Sequence, residues 1–73
     1  MTKPKLLPQQ IEALYESHGP AVRRFLLGVL KDADLAEEAL QQTFIQVMEH
    51  GHTARTESMK PWIFKVAFNE AIA

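Results

Sequence analysis

The sequence predicts an all-α domain, a small bundle of three to four helices, and three observations carry that prediction. Apolar residues recur every three or four positions in successive segments. No stretch alternates apolar and polar residues as a half-buried strand would. The residues between the segments are those that start and stop helices. Size agrees: 73 residues, 47% of them hydrophobic, make one small domain near the lower limit at which a core holds without staples.

Each element follows in order. Leu7, Ile11, Leu14, Tyr15 and His18 fall at helical spacing, with Pro8 suited to a first turn. Gly19-Pro20 interrupts, because proline lacks the amide hydrogen and disfavours helical backbone in its predecessor. Val22, Phe25, Leu26, Val29 and Leu30 form a second apolar set. Two helices and one kinked helix both satisfy this pattern. In Asp34-Leu35-Ala36-Glu37 the aspartate is expected as the N-cap of the next helix, with Glu37 closing a capping box and Glu38 favoured by the helix dipole. Gly51 is expected to stop it. A polar loop from Gly51 to Glu57 precedes Ser58, the expected N-cap of a last helix with Pro61 in its first turn. The expectation is four helical segments, without repeats or low-complexity tracts.

Composition narrows function. The absence of cysteine removes disulfides, thiolate metal sites and thiol nucleophiles together. Only two leucines separate Met1-Thr2-Lys3-Pro4-Lys5 from Pro8, which is no signal-peptide core, and no apolar run is long enough to span a bilayer. A cytoplasmic protein without membrane association is the expectation. Eight Lys and Arg against nine Asp and Glu leave a formal net charge of -1, so strong DNA binding by this chain alone would require its charges to be segregated.

Two helix faces stand out. At 100° per residue, Ala36, Leu40, Thr43, Phe44 and Val47 share one side of the helix that follows Asp34, a core stripe. Opposite lie Glu38, Gln41, Gln42, Ile45 and Glu49, where Ile45 breaks a polar face. An apolar anchor ringed by amides that both donate and accept fits a modest helix-docking interface, while a plain solvated face fits the residues equally well. In the last helix Ile63, Phe64, Ala67 and Ala71 form the expected core stripe. Trp62, Lys65 and Asn69 fall roughly opposite, with Val66 and Phe68 at the flanks. That side fits either a boundary aromatic with solvated neighbours or a surface that stacks on nucleic acid, with Lys65 near phosphate.

Ala36-Glu37-Glu38-Ala39-Leu40-Gln41-Gln42-Thr43-Phe44, then a loop, then Trp62-Ile63-Phe64-Lys65-Val66-Ala67-Phe68-Asn69 resembles region two of bacterial sigma factors of the extracytoplasmic-function group. The family pattern runs approximately Ala-Glu-Asp-Leu-Val-Gln-Glu-Thr-Phe, a variable loop, and Trp-Leu-Phe-x-Ile-Ala-Arg-Asn. The resemblance covers the chain from about Leu14 onward. It implies a transcription initiation factor domain whose Glu38, Gln41, Gln42 and Ile45 bind the β′ clamp of RNA polymerase. It further implies that Trp62, Lys65 and Asn69 face promoter DNA at the upstream edge of the melted minus-ten element. The loop Gly51 to Glu57 matches the family's specificity loop, and there Arg55, with Thr53 and Thr56, fits contact with a base or phosphate as well as it fits an ordinary polar connector. An anti-sigma factor is a further partner compatible with the resemblance. No cofactor and no catalytic or metal site is expected from the residues. Three departures are Glu38 for aspartate, Gln42 for glutamate and Phe68 for arginine. Residues 1–73 are expected to form one such domain, isolated or truncated, with the basic residues and the helix-turn-helix domain of the family lying beyond Ala73.

Two other readings compete. His50 and His52 beside Glu49 invite a metal, but His-x-His across a helix end lacks the spacing of ligands on one helical face. His18 fits a boundary position on its helix, and no nucleophile-base pairing points to an enzyme. The stronger rival is a helical interaction or dimerisation module without DNA contact. It accounts for the near-neutral charge, the broadly apolar last helix and Ile45.

Overall fold

A computed structural model describes residues 5–73. Its α-helices are α1 (Pro8–Leu30), α2 (Ala33–His50) and α3 (Met59–Ile72), with two short 3-10 turns at Gly51–Thr53 and Thr56–Ser58 bridging the last pair. No strand occurs among the described residues. The extents are 41 × 22 × 19 Å, and the long axis is set by α1, whose 23 residues span about 35 Å at the rise of an α-helix.

Helix α1 resolves the choice that the sequence leaves open. It runs through Gly19-Pro20 without a break, with Pro20 inside the helix. An interior proline costs about 3 kcal/mol relative to alanine. Val22 and Leu26, fully buried just beyond it, each return about 1.5–3 kcal/mol on burial. Packing therefore overrides the local break. Pro8 occupies the first turn as expected, and Gln10 accepts a 2.7 Å hydrogen bond from the Leu7 amide. At the far end Lys31 takes the left-handed conformation (φ 55°) and donates its amide to the Leu27 carbonyl at 2.8 Å.

That tight ending moves the next cap. The N-cap of α2 is Asp32, not Asp34: Asp32 is extended (φ -151°) and accepts from the Leu35 amide at 2.9 Å. The chain reverses at Lys31, so Asp32 is the residue left in extended backbone and Asp34 falls inside the first turn. Glu37 closes no capping box and instead pairs with Arg23 of α1. Gly51 does follow α2, but in right-handed helical backbone (φ -59°), so it is not the left-handed stop that glycine usually supplies. What it provides is clearance, since a Cβ there would lie 2.9 Å from Leu6 Cδ1. Ser58 sits at the N-cap of α3, and its side chain makes no capping bond.

Helices α1 and α2 lie antiparallel. Lys5 pairs with Glu49 at one end, Tyr15 meets Phe44 edge-on midway (centroids 4.9 Å apart), and Arg23 pairs with Glu37 toward the other. Helix α3 packs on both, and Phe64 meets Phe25 at 5.5 Å, also edge-on. Such aromatic pairs add about 0.5–1.5 kcal/mol each beyond their burial. The core gathers Val22 and Leu26 from α1, Ala36, Ala39, Leu40, Phe44 and Val47 from α2, and Ile63 and Ala67 from α3. Thr43 is buried among them, and its hydroxyl donates to the Ala39 carbonyl at 2.7 Å, which satisfies it within its own helix.

Candidate functional site

Because Ala36, Leu40, Phe44 and Val47 point inward, the opposite side of α2 is left outside. Glu38, Gln41, Gln42 and Ile45 are all exposed. Ile45 is 43% accessible, and among the described residues the side chains of Glu38, Gln41 and Gln42 have no hydrogen-bond or ion-pair partner. The face thus holds unspent carboxylate and amide groups around an apolar centre. Glu49, which shares this side, is committed to Lys5 (2.9 Å), whose ammonium holds its carboxyl below the usual range. Sequence reasoning missed Met48. It stands one turn after Ile45, is 48% exposed, and extends the apolar centre. The signal was its spacing of three from Ile45.

The second face belongs to α3 and its approach. Lys65 and Asn69 are exposed and, by helical spacing, share a side with Trp62. Trp62 is half-buried against the core, so it offers an edge rather than a free ring. Arg55 is exposed in the connector, where its carbonyl accepts from the Ser58 amide at 3.0 Å and orders the entry to α3. The Thr53 hydroxyl donates to the His50 carbonyl at 2.7 Å, so that hydrogen serves the turn. Exposed Lys60, which spacing arguments passed over, adds a cation between Arg55 and Lys65. None of these three cations has an ion-pair partner among the described residues. Phe68 is 46% exposed on the neighbouring strip of α3.

Among the described residues no group of three or more His, Cys, Asp or Glu side chains is arranged to hold a metal ion, so His50 and His52 do not assemble a centre with Glu49. No helix among them is long and apolar enough to cross a membrane.

A three-helix bundle with two exposed faces, one carrying a carboxylate and amides around an apolar residue and the other basic beside an aromatic edge, is by class a small all-α domain. Its family follows from comparison. The description of sigma-70 region 2 matches residues 14–73. The chain is 42% identical over 62 residues to the ECF RNA polymerase sigma factor SigM of Bacillus subtilis, covering 85% of this chain and 38% of that protein. It is 35% identical over 66 residues to the ECF RNA polymerase sigma factor SigL of Mycobacterium tuberculosis, with 85% and 36% covered. It is 34% identical over 61 residues to the RNA polymerase sigma factor CarQ of Myxococcus xanthus, with 82% and 35% covered. No solved structure matches it. The chain belongs to the sigma-70 region 2 family, in its extracytoplasmic-function group, and spans over a third of the length of these relatives.

Proposed function

We propose that the chain acts as the domain of a transcription initiation factor that seats on RNA polymerase, through the β′ clamp, by the outer face of α2. Family membership supports this reading, and one observation carries it: Ile45 stands exposed amid Glu38, Gln41 and Gln42, whose side chains have no partner among the described residues. Apolar contact at Ile45 supplies affinity, and the surrounding amides and carboxylate supply orientation. Replacing the family's carboxylate by Gln42 keeps hydrogen bonding and gives up a charge-assisted bond. The test is titration with core polymerase or a β′ clamp fragment. Ile45→Glu should keep full helicity and weaken binding by about 1–3 kcal/mol, as removal of an interface anchor does. Unchanged binding would take Ile45 out of the interface.

The same reading assigns Arg55, Trp62, Lys65 and Asn69 to the non-template strand at the upstream edge of the melted minus-ten element. The exposure of Arg55, Lys65 and Asn69 supports it. With a net charge of -1 the chain alone should bind DNA weakly. In a polymerase complex Asn69→Ala and Arg55→Ala should reduce promoter opening while sparing polymerase binding. Lys65→Ala should weaken all sequences alike and flatten the salt dependence. Normal promoter opening by all three variants would make this surface structural.

A self-association module remains a second reading, favoured by Phe68 and Ile72, which are 46% and 63% exposed on α3. Sedimentation of the chain across a concentration series distinguishes it.

A further inference from the structure

We infer that Leu6 is a positioning residue for the connector between α2 and α3. Seated against Gly51 by the segment that leads into α1, it fixes the loop that carries Arg55. Its effect on promoter opening rests on the assignment of Arg55 to promoter DNA; its effect on the connector does not.

The connector has few ties of its own to the bundle. Its hydrogen bonds join near neighbours. The Ala54 amide donates to the Gly51 carbonyl at 3.1 Å, the Thr53 hydroxyl to the His50 carbonyl at 2.7 Å, and the Ser58 amide to the Arg55 carbonyl at 3.0 Å. Among the described residues no side-chain hydrogen bond or ion pair joins residues 52–58 to α1. Half-buried His52 keeps its Nδ1 out of water with no partner among them. Short turns of this kind open readily unless packing holds them.

Leu6 supplies that packing. A Cβ on Gly51 would stand 2.9 Å from Leu6 Cδ1 and 3.8 Å from its Cγ, so the leucine lies directly on the glycine. Gly51 is buried with φ -59° and ψ -26°, backbone in which alanine is favoured over glycine. The missing side chain therefore serves fit rather than turn geometry. Leu6 also shares a hollow of about 450 Å³ with Glu57, Met59 and Lys60, so it borders both ends of the connector. It lines a second hollow of about 360 Å³, beside Tyr15 and Met48, and stands as the partition between the two. Both of its chain neighbours are tethered. Lys5 pairs with Glu49 in the last turn of α2 at 2.9 Å, and Leu7 caps α1 with its amide donating to Gln10 Oε1 at 2.7 Å. The exposed ion pair adds little stability, but with the Leu7 cap it directs Leu6 onto Gly51.

NMR amide exchange at Ala54 and Ser58 tests the packing in the chain itself, with the amides of Leu40 and Phe44 in α2 as internal reference. Leu6→Ala, and Gly51→Ala by pushing Leu6 aside, should each speed exchange at the connector about threefold to tenfold relative to that reference. Circular dichroism should be unchanged, and Leu6→Met should match the parent. Combining Leu6→Ala with Gly51→Ala should loosen the connector no further, because the collision is gone. In a polymerase complex Leu6→Ala should lower promoter opening about threefold with polymerase binding unchanged, and Leu6→Met should restore it. Adding Leu6→Ala to Arg55→Ala should lower opening no further. Parent-like exchange in both Leu6→Ala and Gly51→Ala overturns the positioning role and leaves the assignment of Arg55 standing. A loosened connector with normal opening in both Leu6→Ala and Arg55→Ala upholds Leu6 as its support and overturns the assignment of Arg55 to DNA. An equal further loss on top of Arg55→Ala overturns action through the connector and leaves Leu6 a role in stability alone.

Discussion

Helices α2 and α3 are built by opposite rules, and the contrast shows where a sequence reveals its surface. Helix α2 divides its circumference: Ala36, Leu40, Thr43, Phe44 and Val47 are buried, while Glu38, Gln41, Gln42 and Ile45 are exposed. Its orientation in the bundle is dictated by that division. Helix α3 is apolar around most of its girth, burying Ile63 and Ala67 while leaving Phe68 and Ile72 open and Trp62 half-covered. Hydrophobicity alone does not choose which apolar side such a helix turns inward. Shape does. Small Ala67 admits close approach, and Phe64 finds Phe25.

The largest effect that sharpens the comparison is truncation of the two core phenylalanines. Phe44 is only 7% exposed, so Phe44→Ala should cost about 3–5 kcal/mol and unfold so small a domain. Phe64 is half-buried, and Phe64→Ala should cost roughly half as much, about 1.5–3 kcal/mol. Chemical denaturation measures both, and equal costs would mean that α3 is seated more deeply than described. At the surface the order of effects on stability should vanish: Ile45→Glu and Phe68→Glu should each stay within about 0.5 kcal/mol of the parent. A larger loss at Phe68 would show that α3 uses this side for packing.

Phe68→Arg tests the departure at that position. It places a cation beside Lys65 and should steepen the salt dependence of DNA binding by about one unit of slope if the α3 face meets phosphate. An unchanged slope would separate that face from DNA. The smallest effect is electrostatic. Lys5 holds the Glu49 carboxyl below its ordinary value of 4.5, so the pair adds stability above that pH and loses it as pH falls through the lowered value. Both side chains are well exposed, so water screens the pair and the contribution is small. Lys5→Ala should slightly flatten the fall in melting temperature below about pH 5. An identical acid limb would show that the pair is not formed in solution.

Much of this protein was legible in its residues. Apolar spacing sets the helical segments and the core stripes of α2 and α3, because a helix repeats every 3.6 residues and one side must leave water, but of the four segments expected the first two are one helix, α1. The ordered pair of motifs identified the family. The exposed quartet on α2, with Lys65, Asn69 and Arg55, lies outside as spacing and polarity required. Where local rules compete with packing, only the tertiary structure decides. Pro20 and Gly19 read as a break, but burial of Val22 and Leu26 carries α1 through them. Asp32 and Asp34 are both good caps, and the left-handed turn at Lys31 selects the first. Gly51 read as a helix stop, yet its clearance is needed by Leu6, a residue 45 positions away. The hollow beside Met48 belongs to two helices at once. No periodicity within either helix records it, because its walls meet only when Tyr15 reaches Phe44 across the bundle.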